Sequence, residues 1–262
     1  MRKHILGITA LALLAISLVG TSWKAVEAPQ SQQQILKSIA EDSLYSKYIS
    51  NLYHAVRLDS AGLNENVFEK ALTGYYNMKY AGMLHSKSIL TIADFDQESR
   101  KKRLYVIDVD KKELLVNTWV AHGEKSGGDK PTQFSNAVNS NQSSLGFYLT
   151  GEVYFGKHGR SLKLDGMDQG FNSNARERAV VMHGANYVGQ ESINQLGRLG
   201  RSQGCPAVPT RLANTIINTI SDHTVLFINN SEQTYSSAFL NEHLAASVVN
   251  NENQEVLAAQ MD

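Results

Sequence analysis

The chain has 262 residues, 42% of them hydrophobic, and its 25 Lys and Arg balance 25 Asp and Glu. That neutrality argues against nucleic acid as a partner, and a lone cysteine, Cys205, excludes a disulfide scaffold. The length is enough to bury a core without covalent staples.

In chain order, the amino terminus comes first. Arg2, Lys3 and His4 form a basic start, Ile5 to Gly20 is an uncharged apolar stretch of 16 residues, and Val26-Glu27-Ala28 places small residues where a signal peptidase reads. The expectation is a signal peptide over residues 1–28 and an exported, periplasmic or cell-envelope protein. An uncleaved anchor helix is the alternative, although the stretch is short for a membrane span. Removal of residues 1–28 leaves 234 residues with a formal charge of −2. A free thiol exported to an oxidising compartment is exposed to oxidation, so its retention there suggests use.

Ser31 to Gln34 reads as a linker. Residues 32–84 form a helical segment, with Tyr45, Tyr48, Ile49, Leu52 and Val56 at helical spacing. Its second helix is capped by Asn64, buries Phe68, Ala71, Leu72 and Tyr75, and closes at Gly82. Strand-like texture follows at Ser88 to Phe95, Leu104 to Val109 and Leu114 to Ala121, with a hairpin turn at Asp110-Lys111-Lys112-Glu113. The basic run Arg100-Lys101-Lys102-Arg103 reads as a solvated loop. The Gly-, Ser- and Asn-rich stretch from Gly123 to Gly146 reads as a binding loop, a lid or an insertion.

Strand patterns resume at Gly146 to Gly151, Ser161 to Leu164 and Ala179 to Met182. Thr210 caps a helix bearing Leu212, Ile216, Ile217 and Ile220, and Thr224 to Asn229 forms a final strand. The polar tail, residues 231–262, is either a surface helix or without fixed structure. The fold class is α+β: a strand-rich mixed-sheet domain over residues 85–230 behind an amino-terminal helical segment.

Cys205 lies in Ser202-Gln203-Gly204-Cys205-Pro206, and His183-Gly184 stands at the end of an apolar run. Gly204 permits backbone angles other residues resist, while Pro206 holds Cys205 extended. Pro206 has no N–H, so an oxyanion hole draws on the amides of Gln203, Gly204 and Cys205. A neighbouring histidine activates such a thiol and lowers its pKa. His122, His158, His183 and Asp168 lack metal-ligand spacing, so no metal and no cofactor is expected; His122 reads as structural. Tyr154 and Asn136 lie in loop-like segments that can line a cleft.

His183-Gly184 followed by Ser202-Gln203-Gly204-Cys205 resembles the signature of the L,D-transpeptidase (YkuD-type) catalytic domain, in a divergent branch. The resemblance covers most of Leu63 to Asn229. It implies an L,D-transpeptidase fold, peptidoglycan stem peptides as partners, Cys205 as nucleophile, His183 as base, and the Gly184 carbonyl as the group that orients the ring. It also implies cell-wall cross-linking through a thioester. Gln203 stands where the family often has His, and Pro206-Ala207 replaces an aliphatic-Arg pair. With that Arg missing, Arg198, Arg201 or Arg178 are the candidates to take a substrate carboxylate, and the expected substrate-binding set is Ser202, Arg201, Tyr154 and Asn136. Two alternatives stay open: an L,D-carboxypeptidase or endopeptidase using the same site, and a catalytically dead wall-binding protein.

Overall fold

The computed structural model describes residues 30–259, and the signal-like segment lies outside them. The chain divides into two units, Met1–Ser38 and Ile39–Asp262. The described part of the first is the opening of helix α1 (Gln30–Ala55), so the expected linker at Ser31 to Gln34 is helical instead. Everything below concerns the second unit.

After α1 and a single turn, α2 (Leu58–Ala61), comes α3 (Glu65–Tyr80). Asn64 caps α3 through its side-chain oxygen, which accepts from Asn66 N–H at 2.9 Å. Phe68, Ala71, Leu72 and Tyr75 are fully or almost fully buried. Burying one such large apolar side chain stabilises by roughly 1.5–3 kcal/mol, which outweighs helix propensity at any single position. Gly82 then takes a φ of 67°, a left-handed conformation that ends the helical run.

Eight strands form one mixed sheet: β1 (Ile89–Asp94), β2 (Leu104–Asp108), β3 (Glu113–Thr118), β4 (Gly146–Gly156), β5 (Gly159–Gly166), β6 (Val181–Ala185), β7 (Ala207–Pro209) and β8 (Val225–Asn229). Their order across the sheet is β3-β2-β1-β8-β4-β5-β6-β7. The β1–β8 and β6–β7 pairs are parallel and the rest antiparallel. Period-two alternation assigns the faces. Leu90, Ile92, Phe147, Val225 and Phe227 face a core shared with α1, α3 and the carboxy-terminal helix. Ile89, Ala93, Tyr148, Leu226 and Ile228 face a second core, shared with α5 (Thr210–Ile220).

Several expectations change on contact with the fold. Arg103 is no part of a solvated loop. It is fully buried, donates to the carbonyls of Gln97 and Val120, and lies over the Phe95 ring. Strand β6 begins at Val181, two residues later than expected, because Ala179 holds a left-handed turn with φ of 52°. Helix α4 (Gln190–Leu196) was not foreseen: it buries no residue and so lacks an apolar stripe. The polar tail carries a long helix, α6 (Glu242–Ala259), which buries Ala245, Ala246, Val248 and Val249 against α3. Asn77 fastens its approach by donating to the carbonyls of Phe239 and Asn241.

Candidate active site

The pairing of β6 with β7 builds the site. His183 lies opposite Ala207 in parallel register, so Cys205, two residues ahead of Ala207, falls beside the start of β6. Its Sγ accepts from Val181 N–H at 3.4 Å and donates to the Ala179 carbonyl at 3.7 Å. His183 is buried, Cys205 half-buried, and both line one cavity of about 560 Å³.

The turn carrying the thiol is held from three sides. Ser202 Oγ accepts from Gly204 N–H at 3.1 Å and donates to the Cys205 carbonyl at 2.6 Å, closing the turn on itself. The segment after β3 runs alongside: Ala121 N–H donates to Ala207 O, Ser202 N–H to His122 O and Glu124 N–H to Ser202 O. Ser143 Oγ donates to Gly204 O at 3.3 Å. Gly204 has a φ of 120°, and a Cβ there would lie 2.8 Å from the Gln142 carbonyl oxygen, so glycine is needed on two grounds. Behind this frame, fully buried Arg103 donates to His122 Nδ1 at 2.8 Å. His122 is buried, and that burial together with the Arg103 charge lowers its pKa to about 3. It is a neutral structural partner.

His183 Nδ1 lies 2.9 Å from the Gly184 carbonyl. A carbonyl only accepts, so Nδ1 carries the proton and Nε2 is left as the basic nitrogen. Gly184 itself packs tightly: a Cβ would lie 2.9 Å from that of Ala213. The ring of His158, from the β4–β5 turn, stacks on His183 at 4.1 Å with planes 16° apart. Burial depresses the His183 pKa; the Gly184 hydrogen bond opposes it, and the neighbouring charges of His158 and Lys157 add smaller downward contributions. Burial also pushes the Cys205 thiol up, against the Val181 amide and the charges of Arg178 and Lys157. This reverses the expected lowering of the thiol pKa. The resting pair is a thiol with a neutral imidazole, and the thiol's hydrogen-bond partners are main-chain groups.

The remaining sequence candidates separate. Tyr154, Arg201, Ser202 and Gln203 line the cavity. Asn136 does not; its side chain joins Ser173 and Asn174. Ser202 is committed to the turn, and Gly204 N–H to Ser202, which leaves Gln203 and Cys205 as the oxyanion candidates. Arg201 donates to the carbonyls of Glu124 and Gly127. Arg178 lines the cavity too, and pins the 123–146 segment by donating to Ser135 O, Gln142 O and the hydroxyls of Ser140 and Ser144. That segment therefore has a fastened base, while Val138, Asn139 and Asn141 reach the cavity wall. Arg198 does not line the cavity; it donates to Leu199 O. His122, His158, His183 and Asp168 form no joint site, since Asp168 accepts from Phe147 N–H, Tyr235 and Ser237.

Sequence reasoning missed Lys157, Glu177 and Tyr187 on the cavity wall, and the pairing of His158 with His183. The available signal was Gly156-Lys157-His158-Gly159, a glycine-framed turn that joins two strands.

No curated protein matches. Among solved structures, the chain is similar to an L,D-transpeptidase from Mycobacterium smegmatis, with 13% identity over 55% of this chain and 60% of that one and a TM-score of 0.35. It is also similar to the helical cell shape determining protein Pgp2 from Campylobacter jejuni, with 11% identity over 68% of this chain and 63% of that one and a TM-score of 0.36. The chain thus spans less than two thirds of either structure's length. A family model, that of the L,D-transpeptidase catalytic domain, matches residues 59–229, from α2 through the last strand of the sheet and including both His183 and Cys205. The chain belongs to the L,D-transpeptidase catalytic domain family.

Proposed function

We propose that this protein is an exported L,D-transpeptidase that joins peptidoglycan stem peptides through a thioester on Cys205. The observation that carries the reading is a single cavity lined by the one thiol of the chain and by a histidine whose Nδ1 is fixed on a carbonyl.

His183 Nε2 takes the thiol proton as Cys205 Sγ attacks the carbonyl at the L-centre of the donor's diaminopimelate. A raised thiol pKa and a lowered imidazole pKa make full proton transfer uphill before attack, so base catalysis accompanies the bond-forming step. The amides of Gln203 and Cys205 receive the developing oxyanion. The imidazolium then protonates the departing amine, the C–N bond breaks, and D-alanine leaves a thioester. An acceptor amine attacks that carbonyl, gives its proton to His183 Nε2, and expels the thiolate, which recovers the proton. The chain's own residues supply every proton transfer.

Purified protein incubated with disaccharide-tetrapeptide and analysed by mass spectrometry tests the proposal. The expected products are cross-linked dimers and an acyl-enzyme on Cys205. Tripeptide and free D-alanine without dimer, even at high acceptor concentration, would reassign the site to a hydrolase. A chain that binds wall material but never acylates would refute the enzyme reading.

A further inference from the structure

A second group of side chains with coordinating chemistry lies outside the Cys205 cavity, at the turn between α5 and β8. Strands β1 and β8 run parallel with Leu90 opposite Val225, so the residues that precede them emerge at the same end of the sheet. His85, on the approach to β1, thereby meets Asp222 and His223. His85 Nδ1 lies 2.6 Å from Asp222 Oδ1, and His223 Nδ1 lies 3.9 Å from the same oxygen. One coordinating atom from each residue lies within 4.8 Å of the others. The two imidazole rings stack at 4.0 Å with planes 23° apart.

The main chain presets this arrangement. His85 N–H donates to His223 O at 3.4 Å, and His223 N–H donates to Thr150 O at 3.0 Å. Asp222 and His223 are consecutive residues at positive φ, 78° and 55°. Asp and His are among the residues that take this conformation most readily after glycine. Here both positions carry a metal-binding side chain, and a third faces them from a segment 137 residues away from Asp222.

We propose that His85, Asp222 and His223 form a binding site for a borderline divalent transition-metal ion, with Zn²⁺ as the ion to test. Two imidazole nitrogens and one carboxylate oxygen suit zinc, copper or nickel; magnesium and calcium take oxygen shells. With metal–ligand bonds of about 2.0–2.2 Å, a tetrahedral ion holds its donors roughly 3.3–3.5 Å apart. That spacing falls between the 2.6 Å and 3.9 Å separations to the Asp222 oxygen, and seating the ion takes rotation of the two stacked rings, which half-exposed side chains permit. Asp222 and His223 also border a second cavity of about 360 Å³, from which water or a small anion completes the shell. The other acids on that cavity, Glu152 and Asp165, are both held by Arg176 and do not compete. Lys87 is the opposing charge: it donates to the carbonyls of Asn218 and Ser221, influences Asp222, and moderates the affinity. A bound ion would tie the entry to β1 to the entry to β8. The inference is independent of the cysteine chemistry, because none of the three residues lines the Cys205 cavity.

The test uses the full chain carrying Cys205→Ala, so that the thiol contributes no ligand. Titration with Zn²⁺ by calorimetry and thermal melting should show one saturable equivalent and a rise in Tm that Mg²⁺ does not reproduce. Substituting Co²⁺ should give visible d–d bands. His85→Gln and His223→Gln should weaken Zn²⁺ binding by more than the roughly 10–100-fold that loss of a supporting partner costs, and should remove the Tm rise. Asp222→Asn, which keeps a residue tolerant of the left-handed turn, should weaken binding as well. No saturable uptake, or equal affinity in the histidine variants and their parent, would overturn the proposal.

Discussion

At the scale of single residues, the site makes its strongest commitments at Cys205, His183 and His158. Cys205→Ala should abolish both turnover and acyl-enzyme, and Cys205→Ser should be nearly inactive, because a hydroxyl is far harder to ionise than a thiol. Retention of the circular-dichroism melt, checked alongside activity, separates this from unfolding. His183→Ala should lower kcat/KM by about 10²–10⁴-fold, the usual cost of losing general acid–base catalysis. The pH profile follows from the direction of the shifts. In the proposed mechanism His183 acts as a base only when neutral, and its folded pKa lies below the ordinary 6.5. The acid limb of kcat/KM should therefore fall below pH 6.5. In His158→Ala, loss of the stacked ring admits water and removes a like charge; both changes raise the His183 pKa, so the limb should move toward 6.5. A limb that stays put would leave His158 as packing. Part of the site's geometry is legible in the sequence: two short motifs single out Cys205 and His183, which line one cavity, and the Gly184 carbonyl that meets the ring. Lys157 is not, and for Arg178, named only as a carboxylate candidate, its grip on the 123–146 segment is not; what they touch is decided by a turn and a hairpin whose lengths show no periodicity.

At the scale of elements, hydrophobic pattern located every strand of the sheet but β7, and missed what burial decides without pattern. Three-residue β7 is too short to carry a period. Arg103 looks like one charge in a basic run; only the carbonyls of Gln97 and Val120 explain why it is inside. Helix α6 is weakly patterned because small residues, Ala245 and Ala246, make much of its contact with α3. Gly74 supplies a sharp test. Alanine is the better helix former by about 0.8–1.0 kcal/mol, yet a Cβ at this position would run into the Phe147 ring, which stacks on Phe227 at 4.4 Å. Overpacking typically costs about 1–3 kcal/mol, so Gly74→Ala should lower stability in denaturant melts despite its propensity. A stabilised variant would show that α3 can slide off the sheet without loss.

At the scale of the whole molecule, the two cores lie on opposite faces of one sheet, and the family match from residue 59 to 229 covers that sheet entirely. The expected signal peptide, outside the described residues, makes a separate prediction: protein recovered from the cell envelope should begin near Pro29 by amino-terminal sequencing, whereas a Met1-containing form embedded in the inner membrane would establish an anchor. The strand order adds something of another kind. The last strand made, β8, is not at the edge but at the centre, parallel to β1 on one side and antiparallel to β4 on the other. Until it is synthesised, β1–β3 and β4–β7 are joined only where the segment after β3 meets β7 and Ser202, and the innermost strands β1 and β4 are bare. A chain cut before Val225 should therefore contain no independently stable portion, and amide exchange on such a fragment should find no slow core. Distant pairing of this kind slows folding. For the exported protein proposed above, that delay is an advantage: β1–β7 stay threadable until the keystone strand has been made.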